Sequence, residues 1–378
     1  MTDKIRVLHT IRQGKIGGGE THVINLIEQL DQNHFESLLL AFTDGPMVDK
    51  MRARGIKTFV VKTEKPFNFT KWSDVEKIIK ENKIDIVHAH GTRANSNSFY
   101  AAKKFNIPLV YTVHGWSFHP DQSFIIKKIR LISESQLIKK SDLTICVSNN
   151  NLLDGRSHFN IERATVIRSG IDLEKYNFNS GLSELKKEFH IDETNIVVGY
   201  IVRITKQKDP FTLVRAIKLI PENLNLKFLF VGEGDLKEDT IALAKQLKVY
   251  HRIIFQDFRE DVPDVLRTID IYCLPSLWEG LPIGLLEAMA MKKAVIATAI
   301  DGTKEVLEHM QNGILVPVSC PQALADAIIM LANDHKLRKS LAENALKTIE
   351  RDYNNERMTK QIEDIYYKLS QGRDPLGK

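Results

Sequence analysis

Two carboxylates spaced eight positions apart, Glu279 and Glu287, lie in the segment LPSLWEGLPIGLLEAMA of this 378-residue chain. Glu279 stands just before Pro282, a residue suited to the first turn of a helix, and Glu287 falls inside that helix. Free N–H groups at such a helix start can hold a diphosphate, and the two carboxylates can accept hydrogen bonds from ribose and hexose hydroxyls. The pattern therefore predicts a sugar-nucleotide site. The residues expected to face it at the helix start are Gly280, Leu281, Pro282, Ile283 and Gly284.

A glycine-rich segment near the N-terminus, GKIGGGET, could also approach a ligand closely. Its glycines have P-loop spacing, but Glu20 stands where that motif needs lysine, and His22 replaces the third glycine of the dinucleotide fingerprint. A Walker NTPase and a Rossmann dehydrogenase are therefore disfavoured. Gly17, Gly18 and Gly19 instead indicate a turn whose N–H groups can meet an anion or a sugar. A plain strand-to-helix turn explains the same residues.

His88 and His90 form an H-x-H pair at the end of a predicted strand, a spacing that zinc sites use. The sequence shows no later His or Asp set placed to complete it, so we expect no metal site. An Asp-x-Asp after an apolar strand, which would hold a divalent ion on the donor, is also missing from the sequence. We therefore expect a metal-independent reaction that needs no cofactor.

The elements that position these residues follow from the alternation of short β-branched runs with amphipathic helical stretches. This rhythm predicts an α/β fold with parallel, doubly wound sheets, and the chain length predicts two domains. Six strands precede a Ser-, Gly- and Asn-containing break between Ala164 and Ser180, where we place the linker. The predicted domains are residues 1–170 and 171–355, followed by a C-terminal segment, 356–378, that ends in a frayed tail.

Composition is that of a packed globular protein, with 43% hydrophobic and 27% charged residues. No apolar run of about 18 residues and no signal peptide is apparent, so we expect a cytoplasmic protein. Three scattered cysteines without C-x-x-C spacing are interpreted as buried thiols. A net charge of +5 fits nucleotides or lipid headgroups, but it also fits mere solubility. We expect no nucleic-acid partner.

A basic helix is predicted between Ser123 and Lys140, in SFIIKKIRLISESQLIKK. Its cations stand beside Phe and Ile residues, so the helix could rest on the anionic inner face of a membrane. A Rossmann helix with one buried face and one solvated cationic face explains the pattern equally well. Its cations are Lys127, Lys128, Arg130, Lys139 and Lys140.

Together these segments resemble the retaining glycosyltransferases of family 4 of the bacterial polysaccharide-biosynthesis type, whose E-x7-E motif corresponds to Glu279 and Glu287. The resemblance covers most of the chain, including VHAHG, TVHGWSF, CVS, VIRSGID, VGEGDL and NGILVP. It implies the GT-B fold, in which two Rossmann-like domains face each other across a cleft that holds the active site. The final helix would cross back onto the first domain. The first domain would serve the acceptor and the second the nucleotide-sugar donor.

The resemblance also implies roles for single residues in the second domain. Glu287 becomes the ribose ligand and Glu279 the contact to the transferred sugar. Arg203 and Lys208 correspond to the cationic pair on the donor diphosphate, where fixed cations stabilise the departing group. Without the resemblance, both would be interpreted as solvated loop charges.

Further carried-over positions lie near the sugar and the base. His114 matches the active-site histidine of the family, although a lone strand-end histidine is otherwise usually structural. The glycines at 17–19 match its mobile glycine loop. Phe258 and Arg259 fall where the family contacts the nucleobase.

Three positions depart from the family pattern, which usually has glycine at Asp257, Lys292 and Asp301. Lys292 replaces a helix-terminating glycine, at a cost of about 1 kcal/mol if its backbone is left-handed. The other two leave the identity of the nucleotide open.

The reaction implied is transfer of a hexosyl group from a UDP- or GDP-linked sugar to a hydroxyl of a glycan, glycolipid or small molecule, with retention of anomeric configuration. We expect front-face departure of the diphosphate and hydroxyl-binding roles for Glu279 and Glu287, rather than those of a glycosidase pair. Two alternatives remain: a sugar-nucleotide epimerase of similar two-domain shape, and a non-catalytic relative that binds nucleotide or scaffolds a membrane complex.

Overall fold

The computed structural model describes residues 4–14, 17–118, 122–179 and 184–377. The chain forms two compact units, Met1–Gly170 with Asn355–Lys378, and Ile171–Asn354. Each unit contains a parallel sheet whose strands alternate with helices, as the sequence rhythm predicts. None of the helices in the described ranges is long and apolar enough to cross a membrane.

The sheet of the first unit has seven strands among the described residues, in the order β3-β2-β1-β4-β5-β6-β7. The strands are β1 (Ile5–Ile11), β2 (Phe35–Ala41), β3 (Lys57–Val60), β4 (Ile86–His90), β5 (Leu109–Val113), β6 (Leu143–Cys146) and β7 (Ala164–Val166). The helices are α1 (Gly18–Gln29), α2 (Pro46–Ala53), α3 (Trp72–Glu81), α4 (Thr92–Lys104), α5 (Phe124–Lys140) and α6 (Asn149–His158).

Strand β7 is a correction, because the sequence predicts six strands in the first domain and a linker that begins at Ala164. The strand pairs with β6 through three residues, too few to show an alternating pattern in sequence. The chain enters the second unit after Gly170.

The sheet of the second unit has six strands in the described part of the chain, in the order β10-β9-β8-β11-β12-β13. The strands are β8 (Ile196–Ile201), β9 (Leu226–Val231), β10 (Ile253–Gln256), β11 (Ile271–Leu274), β12 (Ala294–Thr298) and β13 (Ile314–Val316). The helices are α7 (Leu185–Glu188), α8 (Pro210–Leu219), α9 (Lys237–Gln246), α10 (Val262–Thr268), α11 (Ile283–Ala290), α12 (Asp301–Lys304), α13 (Pro321–Asn333) and α14 (His335–Asp352).

The last helix, α15 (Asn355–Ser370), belongs to the first unit. Its apolar residues share one core with strands β1, β2, β4, β5 and β6. Tyr366 is fully buried there, and its hydroxyl contacts His88 Nδ1 at 2.5 Å. The residues that α15 contributes to this core are Met358, Ile362, Ile365, Tyr366 and Leu369.

Both sheets reverse their chain order at the centre, between β1 and β4 in the first unit and between β8 and β11 in the second. In open parallel sheets the loops at the carboxyl ends of such neighbouring strands form ligand sites. Strands β4 and β5 end at His90 and Val113, directly before the glycine turns of VHAHG and TVHG. Each unit thus presents a candidate site at its switch point.

Candidate functional site

Glu279 and Lys208 form an ion pair in the second unit, where the loops after β8 and β11 meet. The Glu279 side chain is only 6% exposed and that of Lys208 20%. Ser276 donates a hydrogen bond to Glu279 Oε1 at 2.7 Å, and Gln207 donates one to Oε2 at 3.3 Å. Both carboxylate oxygens therefore have partners, so a ligand hydroxyl would have to share or replace one of them.

The start of helix α11 differs slightly from the sequence prediction, which places Pro282 in the first turn. Helix α11 begins at Ile283, with Pro282 in an extended conformation as its N-cap. Pro282 therefore stands one position before the first turn, and Glu279 lies in the loop that leads to it. A second close contact fixes this loop, because a Cβ on Gly302 would overlap the carbonyl oxygens of Glu279 and Gly280.

Ser276 is a supporting residue that the sequence analysis missed. It is fully buried at the carboxyl end of β11, and its carbonyl oxygen accepts a 2.5 Å hydrogen bond from the Thr298 hydroxyl. Thr303, also buried, donates to the Thr298 carbonyl. These buried hydrogen bonds fix Ser276, and through it they restrain the carboxylate of Glu279. A polar residue two positions after an apolar strand was the signal available in LPSLWEG.

Three amides lie at the start of α11, before the first hydrogen bonds of the helix among the described residues. The first recorded helical hydrogen bonds run from the N–H groups of Leu285 and Leu286 to the Pro282 carbonyl. The amides of Leu281, Ile283 and Gly284 precede these bonds and lie at the positive end of the helix dipole.

Glu287 lies one turn further along α11 and is held by Tyr176, whose hydroxyl donates a 2.6 Å hydrogen bond to Oε1. Burial raises the pKa of Glu287, while the Tyr176 hydrogen bond and the charge of Lys175 act in the opposite direction. Tyr176 comes from the segment that the sequence analysis assigned to the linker, 111 positions away, so no local pattern could have identified it.

Arg203 is exposed in the loop that follows β8. The backbone on both sides of it is packed tightly, because a Cβ on Gly232 would overlap the Val202 carbonyl and one on Gly234 that of Ile204. Gly232 also has a φ of +140°, which other residues rarely adopt. The glycines of VGEGDL thus let two loops approach and fix the base of the Arg203 side chain.

The two residues expected at the nucleobase have different surroundings. Phe258 is 50% exposed, whereas the Arg259 guanidinium is bound by Asp261 and Glu188, each at 2.7 Å. The hydrogen bond to Asp261 is the main reason that the pKa of Arg259 lies above its usual range. The guanidinium also lies 5.4 Å from the ring centroid of Phe189. These contacts support a structural role for the Arg259 side chain.

In the first unit, the structure brings the glycine turn and His114 together. Helix α1 begins at Gly18 with Gly17 as an extended N-cap, and a Cβ on Gly19 would lie 3.6 Å from the His114 ring. Residues 15 and 16 of the same turn lie outside the described residues. Arg203, Lys208, Glu279 and Glu287 belong to the second unit.

His88 and His90 are not isolated, contrary to the premise on which the metal prediction rested. They lie in a histidine cluster, defined as His9, His22, His88, His90 and His114, which comes from β1, α1, β4 and the end of β5. Two sets of three rings each bring one nitrogen per ring within 4.8 Å of the others. The sets are His9, His88 and His90, and His22, His90 and His114. Neutral imidazoles can bind Zn²⁺, so the donor chemistry of the cluster fits a metal ion, although the sequence predicts no metal site.

Two family models match consecutive parts of the chain. Residues 16–175 match the family described as Glycosyltransferase Family 4, and residues 183–348 match the one described as Glycosyl transferases group 1. The protein belongs to the family 4 glycosyltransferases.

Curated relatives of this glycosyltransferase match over most of its length. The UDP-Gal:alpha-D-GlcNAc-diphosphoundecaprenol alpha-1,3-galactosyltransferase of Escherichia coli is 25% identical over 375 residues, which cover 96% of this chain and 97% of that one. The N-acetyl-alpha-D-glucosaminyl L-malate synthase of Bacillus anthracis is 27% identical over 312 residues, covering 80% and 79%.

Among solved structures, Anabaena HepE in complex with UDP and glucose superposes with a TM-score of 0.85 at 23% identity. The match covers 95% of this chain and 98% of HepE. The fold is therefore GT-B, as the sequence resemblance implied.

Lys292 of this family 4 enzyme has a left-handed backbone, with φ of +56°, so the condition for the strain considered at this family glycine position is met. It follows α11 in a hydrogen-bonded C-cap in which Lys292 N–H bonds Met289 and Lys293 N–H bonds Ala288.

Replacing Lys292 with glycine is expected to stabilise the protein by up to about 1 kcal/mol, because the backbone strain disappears. The weak surface ion pair with Glu343, at 3.2 Å, is lost in exchange. Urea unfolding measures the change. The matched control, Lys339→Gly on an exposed position inside α14, should destabilise by about 1 kcal/mol. If both variants lost the same amount of unfolding free energy, the backbone of Lys292 would not be strained.

Proposed function

We propose that this protein transfers a hexosyl group from a nucleoside diphosphate sugar to an acceptor hydroxyl with retention of configuration, in the synthesis of a cell-surface polysaccharide or glycolipid. The observation that carries the proposal is the arrangement at the start of α11. There the buried Glu279–Lys208 pair, the available amides and the Tyr176-bound Glu287 occupy one switch point.

Three groups of residues in this arrangement suit the three parts of the donor. The amides before α11, together with Arg203 and Lys208, suit the diphosphate, whose charge grows as the glycosidic bond breaks. Glu279, restrained by Ser276 and Gln207, suits a hexose hydroxyl. Glu287 suits the vicinal hydroxyls of the ribose. Because fixed cations supply the charge stabilisation, we propose a reaction that continues in the presence of EDTA.

The relatives favour UDP over GDP as the nucleotide part of the donor. The name of the Escherichia coli relative specifies UDP-Gal, and solved HepE complexes contain UDP and UDP-glucose. The same Escherichia coli name, and that of a Campylobacter jejuni relative at 27% identity, describe diphosphoundecaprenol acceptors. We therefore propose a UDP-sugar donor and a lipid-linked glycan acceptor.

UDP at about 100 times its dissociation constant should stabilise the protein by about 2.7 kcal/mol, measured as a thermal shift against GDP and ADP. Glu287→Ala should raise the Kd of UDP about 10- to 100-fold, because a charge-assisted contact to the ribose is lost. Glu350→Ala, an exposed position on α14, is the matched control. If no nucleotide shifts the melting curve, the donor site is wrongly assigned.

Incubation with donor alone separates the transferase from an epimerase. A transferase needs an acceptor and releases nucleoside diphosphate, whereas an epimerase converts the donor without one. Release of an epimerised nucleotide sugar in the absence of acceptor would contradict the proposal.

We further propose that the first unit docks on an anionic membrane surface through α5, in keeping with a lipid-linked acceptor. The outer face of this helix is apolar, since Ile125, Ile129 and Ile132 follow one another at helical spacing and are 57–70% exposed. Phe124 at its start is 80% exposed. Its one acidic residue, Glu134, is fully buried and accepts hydrogen bonds from Tyr111 and Thr92.

The exposed part of α5 thus combines apolar side chains with cations and no exposed carboxylate. This differs from the alternative interpretation, a Rossmann helix with one buried face and one solvated cationic face. An anionic bilayer satisfies both features, because apolar side chains enter the interface and each nearby cation contributes about 1 kcal/mol.

The full chain should therefore cosediment with vesicles of phosphatidylglycerol and phosphatidylcholine, and much less with phosphatidylcholine alone. Replacing Ile125, Ile129 and Ile132 together with serine should weaken binding more than tenfold, because each buried isoleucine contributes about 1.5–3 kcal/mol. Phe69→Ser, which removes a 74% exposed ring elsewhere in the same unit, should leave binding unchanged. The wild-type chain could instead fail to bind vesicles and form a concentration-dependent dimer that the triple variant abolishes. That result would identify a second copy of the chain as the partner of the exposed face of α5.

A further inference from the structure

The histidine cluster contains more imidazoles than a single sugar contact needs. Four of its members, His9, His22, His88 and His90, are at most 2% exposed, and His114 is partly exposed at the edge. Burial lowers the pKa of His9 to about 3 and that of His114 to about 4. Burial also lowers the pKa of His22, His88 and His90 well below its usual value. All five rings are therefore neutral near pH 7, and each carries one N–H and one bare nitrogen.

Three of the rings form a chain. His9 Nδ1 lies 3.5 Å from His90 Nε2, and His90 Nδ1 lies 3.3 Å from His114 Nε2. Both nitrogens of His90 therefore face another imidazole. Because a neutral ring donates through one nitrogen and accepts through the other, the two contacts must run in the same direction.

The inner end of the chain decides this direction. His9 Nε2 is buried and has no hydrogen-bond partner among the described residues. If the chain ran inward, His9 would carry its proton on this atom and bury an unpaired donor. If it runs outward, His9 Nδ1–H donates to His90 and only a lone pair is left unpaired. Buried orphan N–H groups are rarer in proteins than under-satisfied acceptors, so the outward direction is favoured.

We infer that His90 is a positioning residue that donates to His114 Nε2 and fixes His114 in the Nδ1–H tautomer. The remaining nitrogen of His114, Nδ1, then offers an N–H to an oxygen of the bound sugar. His114 therefore acts as a hydrogen-bond donor and not as a base. This role in the reaction rests on the proposed transferase function, whereas the tautomer itself does not.

A metal ion is the competing occupant of the same nitrogens. His88 is poorly placed for it, because its Nδ1 contacts the Tyr366 hydroxyl at 2.5 Å and its Nε2 the Thr112 hydroxyl at 2.7 Å. The remaining set, His22, His90 and His114, would have to give up the contact between His90 and His114. The hydrogen-bonded chain leaves all of these contacts in place.

Nitrogen NMR of protein labelled with ¹⁵N-histidine tests the tautomer without any substrate. Wild-type protein at pH 7.5 should show His114, assigned by loss of its signals in His114→Gln, protonated at Nδ1 and bare at Nε2. Protonation of His114 at Nε2 in the wild type would overturn the inference.

Two substitutions of His90 test the positioning role. His90→Leu removes the donor and should lower kcat about tenfold, with little change in the donor KM, and should leave His114 as a mixture of tautomers. His90→Asn keeps an N–H close to the position of Nδ1 and should restore both the Nδ1–H tautomer and most of kcat. Equal losses of kcat in folded Leu and Asn variants, with the His114 tautomer unchanged, would reduce His90 to a packing residue and overturn the inference.

The same samples distinguish the other outcomes. Stoichiometric binding of Zn²⁺ to EDTA-treated protein, abolished in His90→Asn, would identify the cluster as a metal site and overturn the hydrogen-bonded chain. If no hexosyl transfer is detected with any donor while His114 shows the Nδ1–H tautomer, the proposed function fails and the tautomer assignment stands.

Discussion

Lys208→Ala is expected to lower kcat about 100- to 1000-fold while changing the KM of the donor far less. Its ammonium group is one of two cations proposed to meet the diphosphate as the glycosidic bond breaks, and removing one preorganised charge partner costs this much in other enzymes. Steady-state kinetics with a UDP-sugar and an acceptor measure the effect.

The variant should still fold, because Ser276 and Gln207 continue to donate hydrogen bonds to the carboxylate that Lys208 leaves behind. Lys206→Ala is the matched control, since Lys206 is an exposed lysine at the start of the same short 3-10 helix, Lys206–Lys208. A kcat for Lys208→Ala equal to that of Lys206→Ala would remove Lys208 from the catalytic group.

The first unit is expected to lose stability steeply as the pH falls from 6.5 to 5. Burial lowers the pKa of each of the four fully buried histidines below the 6.5 of an unfolded chain. Below pH 6.5 the unfolded state therefore binds more protons than the folded state, and folding becomes less favourable. At pH 5 each buried imidazole costs about 2 kcal/mol, and four together about 8 kcal/mol, which is comparable with the stability of a whole domain.

Urea unfolding between pH 7.5 and 5, followed by the fluorescence of buried Trp116, measures this loss. His9→Gln removes one titrating group. The slope of the unfolding free energy against pH should therefore fall by about 1.4 kcal/mol per pH unit. In the second unit, burial raises the pKa of Glu287, so that this group acts in the opposite direction. A stability of the first unit that does not change over this range would contradict the neutral cluster.

Much of the fold could be predicted from sequence because β–α alternation is a local signal. Most strands and helices show their own period. The family glycine at the position of Lys292 likewise pointed to the end of a helix, where the backbone is left-handed. Strand β7 was missed because its three residues begin the Ser-, Gly- and Asn-containing stretch that indicates a linker.

The contacts within the sites were harder to predict because they depend on the order of strands in the sheet. The histidine cluster forms because β4 lies between β1 and β5, which places His9 directly beside His88 and His90 beside Thr112. A sequence shows that H-x-H ends a strand, but not which strands flank it. Tyr176 likewise reaches Glu287 only through the tertiary fold.

Helix α15 determines the order in which the two units can be finished during synthesis. The second unit is one continuous stretch, 171–354, and has all its residues before α15 is made. The first unit begins to emerge earlier, yet its core includes Met358, Ile362 and Tyr366 from the end of the chain. Until these residues leave the ribosome, the apolar groove that they fill stays open to water, and His88 lacks the Tyr366 hydroxyl. The unit that is translated first is therefore the one that is completed last.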